Sequence, residues 1–289
     1  MYADLQIWLN HFEYHAHKPR PLRGDLAAAL TPAERRAIGT SLAGFQLGEQ
    51  SDGARLLRKA RQFAQRHALA QLPPIIELLI AEEQRHAALL GEFLDAHALG
   101  RRRGDLLASL FRRLRRLGGF EMTLGVLLCA ELVGIVYYRA LENATRCRQL
   151  QALCRTLLTD EHAHVGFESA LLLASQARCS PMLAWARRHA HRGLFVGTAL
   201  AAWFGHARVL RRAGYGLWSF LRACRAQYDF YLAPAARLGE VLRRRAHARA
   251  QVANSCSAML RKDLNSSALP EGSSRNMVAC SPGAPWKRT

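Results

Sequence analysis

Ala81-Glu82-Glu83-Gln84-Arg85-His86 and Asp160-Glu161-His162-Ala163-His164 carry one pattern twice, an acid followed by Glu-x-x-His. Each copy follows a lone glutamate at a similar distance. Glu49 precedes Glu83 by 34 residues, and Glu131 precedes Glu161 by 30. Residues three, four and seven apart share a helix face. At those spacings Glu83 has Ile76, Leu79, Ile80 and Leu90, and Glu131 has Leu124, Leu127, Leu128, Ile135 and Tyr138. Glu161 has Cys154, Leu157, Leu158 and Val165, and Glu49 has Leu42, Phe45 and Leu56. Each glutamate therefore sits on a mainly apolar face, where a free carboxylate is costly to bury. One Glu-x-x-His in a charged helix is usually a solvated face. Four such glutamates, with two histidines at i+3, call for shared positive charge.

A metal pair supplies that charge. Four carboxylates and two imidazoles from four helices are a di-metal donor set. The candidate ligands are Glu49, Glu83 and His86 for one metal and Glu131, Glu161 and His164 for the other, with two of the glutamates bridging. Glu82 and Asp160 lie about 100° round the helix from the ligand face. They are placed to reach the histidine of the opposite half, as a ligating imidazole usually donates its second N–H to a carboxylate. Asp52 and Glu168 are further acids expected around the ligands. Glu168, one turn after His164, reads as a seventh ligand, an acid on the path inward, or a salt-bridge partner. Tyr138, two turns after Glu131, is a candidate for radical or electron relay and otherwise an ordinary core tyrosine.

No stretch shows the period-two alternation of strands, so the expected fold class is all-α. Thr31-Pro32-Ala33-Glu34 is a capping box with proline at the first helical position. It opens a first helix expected to continue to about His67, with Glu49 near its middle. Pro73-Pro74 opens a second helix ending near Gly100. An arginine-rich amphipathic piece spans Leu106 to Leu117. The third and fourth helices cover about Phe120–Thr145 and Arg148–Ala177. Pro181 starts a fifth, running to about Arg212, and a sixth follows from Leu217 to about His247. Leu194, Phe195, Val196, Trp203 and Phe204 suggest that these last two pack on the bundle and wall a substrate pocket. Short links join helices one to two and three to four, and a link of about twenty residues joins two to three. That pattern fits a four-helix bundle of two antiparallel hairpins with one long crossover. The domain reading is an N-terminal extension over 1–30, the bundle over 31–178, additional helices over 179–249, and a disordered tail over 250–289 rich in Ser, Asn, Pro and Gly.

The formal net charge is +19, and 37 of the 41 basic residues are arginine. Clusters such as Arg101–Arg103, Arg112-Arg113 and Arg243–Arg245 suit nucleic acid, anionic membrane or an anionic substrate. They equally suit the solvated faces of an arginine-rich chain. Aromatics do not interleave with the clusters as in a nucleic-acid module. The apolar stretch Phe120–Tyr138 is interrupted by Glu121 and Glu131, which argues against a lipid-facing span. No secretory pattern is visible in residues 1–30. Seven cysteines without a Cys-x-x-Cys pair match a reducing compartment, so a cytoplasmic location is expected.

On these residues the chain resembles the ferritin-like superfamily of di-iron carboxylate proteins over roughly residues 31–178. Phe45-Gln46-Leu47-Gly48-Glu49 with Ala81–His86 is also similar to a group of uncharacterised bacterial ferritin-like proteins. The resemblance implies two iron ions, with manganese as the alternative, and O₂ or peroxide with an unknown small molecule as reactants. Asp160 resembles the acid that holds a ligand histidine in ribonucleotide reductase small subunits. Arylamine N-oxygenases carry a further histidine ligand, but Leu157 stands one turn before Glu161 here. The Cys-x-x-Cys pairs of rubrerythrins are absent. The leading expectation is a di-iron oxidase or oxygenase. The alternatives are a ferroxidase or iron store, and a non-enzymatic basic bundle that binds nucleic acid or anionic membrane.

Overall fold

A computed structural model of the chain describes residues 5–16, 30–50, 53–102, 104, 113–114, 116 and 118–232. Among them are eight helices and no strand: α1 (Leu5–Ala16), α2 (Pro32–Glu49), α3 (Ala54–His67), α4 (Leu72–Ala96), α5 (Phe120–Ala144), α6 (Arg148–Gln176), α7 (Pro181–Arg212) and α8 (Leu217–Tyr231). Asp52, most of Leu106–Leu117, residues 233–247 of the expected last helix and the 250–289 tail lie outside the described residues.

Local chemistry sets the helix ends. The Thr31 hydroxyl accepts from Glu34 N while the Glu34 carboxylate accepts from Thr31 N at 2.8 Å, closing the capping box. Ser180 accepts from Leu183 N and Pro181 follows, which starts α7. Glu34 does more than cap. It is 2% exposed, and its second oxygen accepts from Arg146 N at 2.8 Å, tying the start of α2 to the α5–α6 turn.

Two sequence expectations change. The first helix is not continuous to His67. It stops at Glu49, and α3 begins after Gly53, whose φ is +65°. A side chain at Gly53 would put its Cβ 2.5 Å from Ile80 Cγ2, so glycine is required here by backbone and by packing. Glu49 is therefore the last residue of its helix instead of a mid-helix one. Within residues 1–30, α1 packs on α4 with Leu5 and Phe12 buried. The last helix ends at Tyr231, with Leu232 as its cap.

The core comes in two apolar clusters. Leu79, Leu128, Leu132, Ile135, Val165 and Phe167 belong to one. Leu42, Leu90, Phe93, Tyr138, Leu141 and Leu157 belong to the other. Each such side chain contributes about 1.5–3 kcal/mol by leaving water. On α4 and α6 the segments Glu82–His86 and Asp160–His164 fall between the two clusters, so the polar residues occupy one level of the bundle. α7 packs on α2 and α5, burying Phe195 and Trp203. Val196 and Phe204, expected on that packed face, are 48% and 76% exposed. α5 and α7 are long and apolar enough to cross a membrane, and α5 is mostly buried against its neighbours. The architecture is a ferritin-like all-α bundle with two added C-terminal helices.

Candidate metal centre

Four helices deliver the paired motifs to one point. Glu83, His86, Glu161 and His164 each offer one donor atom, and these atoms all lie within 4.8 Å of one another. The two imidazoles stack, with centroids 5.6 Å apart. Their Nδ1 atoms face the carboxylates: His164 Nδ1 is 2.8 Å from Glu83 Oε1, and His86 Nδ1 is 3.4 Å from Glu161 Oε1. Their Nε2 atoms face outward to the preceding acids, and the pairing crosses between halves. His86 Nε2 meets Asp160 Oδ2 at 3.2 Å, and His164 Nε2 meets Glu82 Oε2 at 3.0 Å. This crossing fixes both rings with Nδ1 turned inward. Arg85 donates to the other Glu82 oxygen at 2.7 Å.

Glu49 and Glu131 complete the cluster from α2 and α5. Glu49 interacts with Glu83, and Glu131 with Glu161. Tyr138 donates its hydroxyl to Glu49 Oε1 at 2.8 Å, so α5 also holds the α2 carboxylate. The structure thus brings together Glu49, Glu82, Glu83, His86, Glu131, Tyr138, Asp160, Glu161 and His164. Glu168 is fully buried and borders the same cavity as Glu49, Glu83 and Glu131.

Burial and crowded like charges set the electrostatics of this donor set. Burial, then the charge of Glu83, pushes the Glu49 carboxyl well above its ordinary range. Burial, then the charge of Glu161, does the same to Glu131. Burial also opposes the charged forms of Glu83 and Glu161, but hydrogen bonds outweigh it and hold both low: from His164 for Glu83, and from Glu131 and the two histidines for Glu161. Burial disfavours His86 as a cation, yet Asp160 and Glu161 push its pKa up to about 10. His164 is raised in the same way by Glu161, Glu82 and Glu83. Each imidazole is thus flanked by acids on both nitrogens, Glu83 and Glu161 inside and Glu82 and Asp160 outside. Even so, Glu83 Oε1, both Glu161 oxygens and the Nδ1 atoms of His86 and His164 are buried without a well-directed hydrogen bond. Buried polar atoms are rarely left so. Five buried donor atoms that converge on one point, in contact but poorly aligned for hydrogen bonds, fit a pair of divalent cations.

A cavity of about 550 Å³ opens onto this cluster. Glu49, Glu83 and Glu131 are half-buried because their remaining surface borders it. The walls are mostly apolar, including Phe45, Leu56, Leu79, Ile80 and Val133. α7 supplies Thr198, Ala202 and His206, and the exposed Arg55, Arg102 and Arg116 also border the space. His206 Nδ1 pairs with Ser41 Oγ at 2.8 Å, and Ser41 Oγ with Tyr137 OH at 2.9 Å.

Sequence reasoning did not single out His206, Phe12 or His15. Phe12 stacks over His164 with centroids 5.9 Å apart, which covers the outer side of the centre. Its signal was present: Leu5, Trp8, Leu9 and Phe12 have helical spacing. Cys129 and His191, 3.4 Å apart, resemble a nucleophile and base. Burial raises the thiol and lowers the imidazole, so the pair stays neutral and serves packing.

No protein-family model matches the chain, and no curated protein is similar enough to count as a relative. Two solved structures are similar in fold. Both are variants of an R2-like ligand-binding oxidase with an aerobically reconstituted Mn/Fe cofactor. One has a TM-score of 0.58 and 13% identity, covering 80% of this chain and 92% of its own. The other has a TM-score of 0.52 and 12% identity, covering 80% of this chain and 93% of its own. In fold, therefore, this chain is a ferritin-like bundle of the kind found in R2-like oxidases.

Proposed function

We propose that the protein is a di-metal carboxylate oxidase or oxygenase acting on a small, largely apolar substrate. One observation carries this: six acidic and imidazole side chains meet in a bundle core, with their buried donor atoms converging and an apolar cavity beside them. Glu49, Glu83, His86, Glu131, Glu161 and His164 would hold two iron ions, or manganese in place of iron. Such a pair supplies the electrons that reduce O₂ or peroxide.

The remaining chemistry belongs to the chain. Asp160 and Glu82 keep His86 and His164 oriented through Nε2. Tyr138 steadies Glu49 and is placed to relay an electron or proton from the centre to the core. Phe45, Leu79 and Ile80 exclude water from the reacting space. A substrate with an apolar body fits those walls, and a negative end would find Arg55, Arg102 or Arg116. The cavity favours this reading over a ferroxidase or store, which needs no space for an organic molecule next to the metals.

The test is anaerobic Fe(II) loading followed by O₂, with oxygen uptake, metal content and optical spectrum recorded. Oxygen uptake with a new ferric absorption is expected, and loss of both in Glu131→Ala. Folded protein that holds iron but leaves O₂ untouched would rule out oxidase chemistry.

A further inference from the structure

The acids behind the ligand histidines have a second set of neighbours. α1 brings His15 to them. Donor atoms of His15, Glu82 and Asp160 lie within 4.8 Å of one another. His15 is half-buried, while Glu82 and Asp160 are 4% and 3% exposed. One turn earlier on the same face, the His11 ring stands 4.4 Å from the His15 ring. Two histidines four apart on a helix are a chelating pair for a divalent transition metal. Two imidazoles with two buried carboxylates form the mixed donor set that first-row dications take.

We propose that His15, Glu82 and Asp160, with His11 beside them, form a third cation site that clips α1 over the di-metal centre. The site takes one first-row divalent cation such as Co(II), Zn(II) or Mn(II). It is separate from the centre, because the imidazoles of His86 and His164 stand between the two sets of donors. The two carboxylates supply the negative charge that a dication needs, while each also accepts from a ligand imidazole. Carboxylates have lone pairs enough to accept from an imidazole N–H and bind a cation at once. Glu82 would exchange its bond with the partly exposed Arg85 for the cation.

The consequence is mechanical. α1 buries Leu5 and Phe12, and Phe12 lies on His164. A cation joining α1 to α4 and α6 would add to the contacts that hold this cover, among them Trp8 and Phe12 on Phe167. Local stability of α1 should therefore depend on the third cation, while the bundle depends on the first two.

The site stands on its own residues, so it can be tested apart from the oxidase reading. Full-length protein already holding manganese in its centre is titrated with Co(II), following visible absorption and hydrogen exchange of Leu5–Ala16. One further equivalent, with slower exchange across α1, is expected. His15→Ala and the better-matched His15→Gln should lose that equivalent and the α1 protection while keeping the manganese. If wild type takes no additional cobalt, or if both His15 variants take it as wild type does, the proposal is overturned. If the protein holds no metal in its centre, the oxidase reading fails. One equivalent of cobalt lost on changing His15 would still support the clip.

Discussion

The two halves of the bundle supply the same three donors from different backbones. Glu131, Glu161 and His164 come from α5 and α6, continuous helices of 25 and 29 residues joined by a tight turn. Glu49, Glu83 and His86 come from α2 and α4, and α2 ends at Glu49. The break has a use. Gly48, Glu49, Gln50 and Gly53 all border the cavity, so the interrupted half opens onto it. The continuous half is a wall, and the broken half is where a molecule can approach. The donor symmetry serves charge neutralisation, and the backbone asymmetry serves access.

The largest effects should come from removing donors, and they should differ in kind. Glu161 touches both histidines and Glu131, so Glu161→Ala should lose both metals. Glu49→Ala should lose about one of the two, because its neighbour Glu83 remains. Metal counting on each purified variant checks this. Equal losses would erase the distinction between bridging and terminal carboxylates.

Metal uptake should also release protons. Burial and neighbouring acids favour the protonated forms of Glu49 and Glu131, and the surrounding acids favour charged imidazoles. Two dications should displace about four protons per chain, because ligands bind deprotonated. Apparent affinity should therefore rise with pH, and an indicator dye in weak buffer gives the count. Release of fewer than about two protons would mean the metals bind elsewhere.

Asp160→Asn and Glu82→Gln sharpen the comparison at the next level. Each holds the histidine of the opposite half, so each should weaken metal binding or activity by roughly 10–100-fold while keeping both sites. Gly53→Ala tests the break itself. A positive φ and the clash with Ile80 should cost about 1–3 kcal/mol in chemical denaturation. The matching change Gly134→Ala in the continuous half has no such strain, since its nearest side-chain atom would be 3.8 Å away.

The smallest effect concerns Glu34. Burial alone would raise its carboxyl, but the bonds from Arg146 N and Thr31 outweigh this and hold it below the ordinary range. Its contribution is present above the unfolded carboxyl value and fades as pH falls through the lowered folded one. Glu34→Gln should cost about 1–2 kcal/mol near neutrality and little in acid, as denaturation at two pH values would show.

The legible parts of this molecule were the local ones. The Thr31–Glu34 box, the Pro181 start and the spacing of the four glutamates are short-range chemistry, and the 100° offset foretold where Glu82 and Asp160 would reach. Breaks and long-range partners were harder. Ser51-Asp52-Gly53 carries turn residues, but apolar periodicity on both sides masked it. The bond from Arg146 N to Glu34 joins residues 112 apart, and that from Tyr138 to Glu49 joins residues 89 apart. His206 enters the cavity wall only because α7 folds back on α2. No periodicity encodes such meetings, since tertiary packing decides them.

Central to everything above is that the cluster holds two cations. Full-length protein is loaded with Fe(II) or Mn(II) without oxygen, desalted to remove weakly held metal, and analysed for metal per folded chain. About two tightly held equivalents are expected, falling sharply in Glu161→Ala. A reproducible value near zero in protein with native helicity would contradict the two-metal centre.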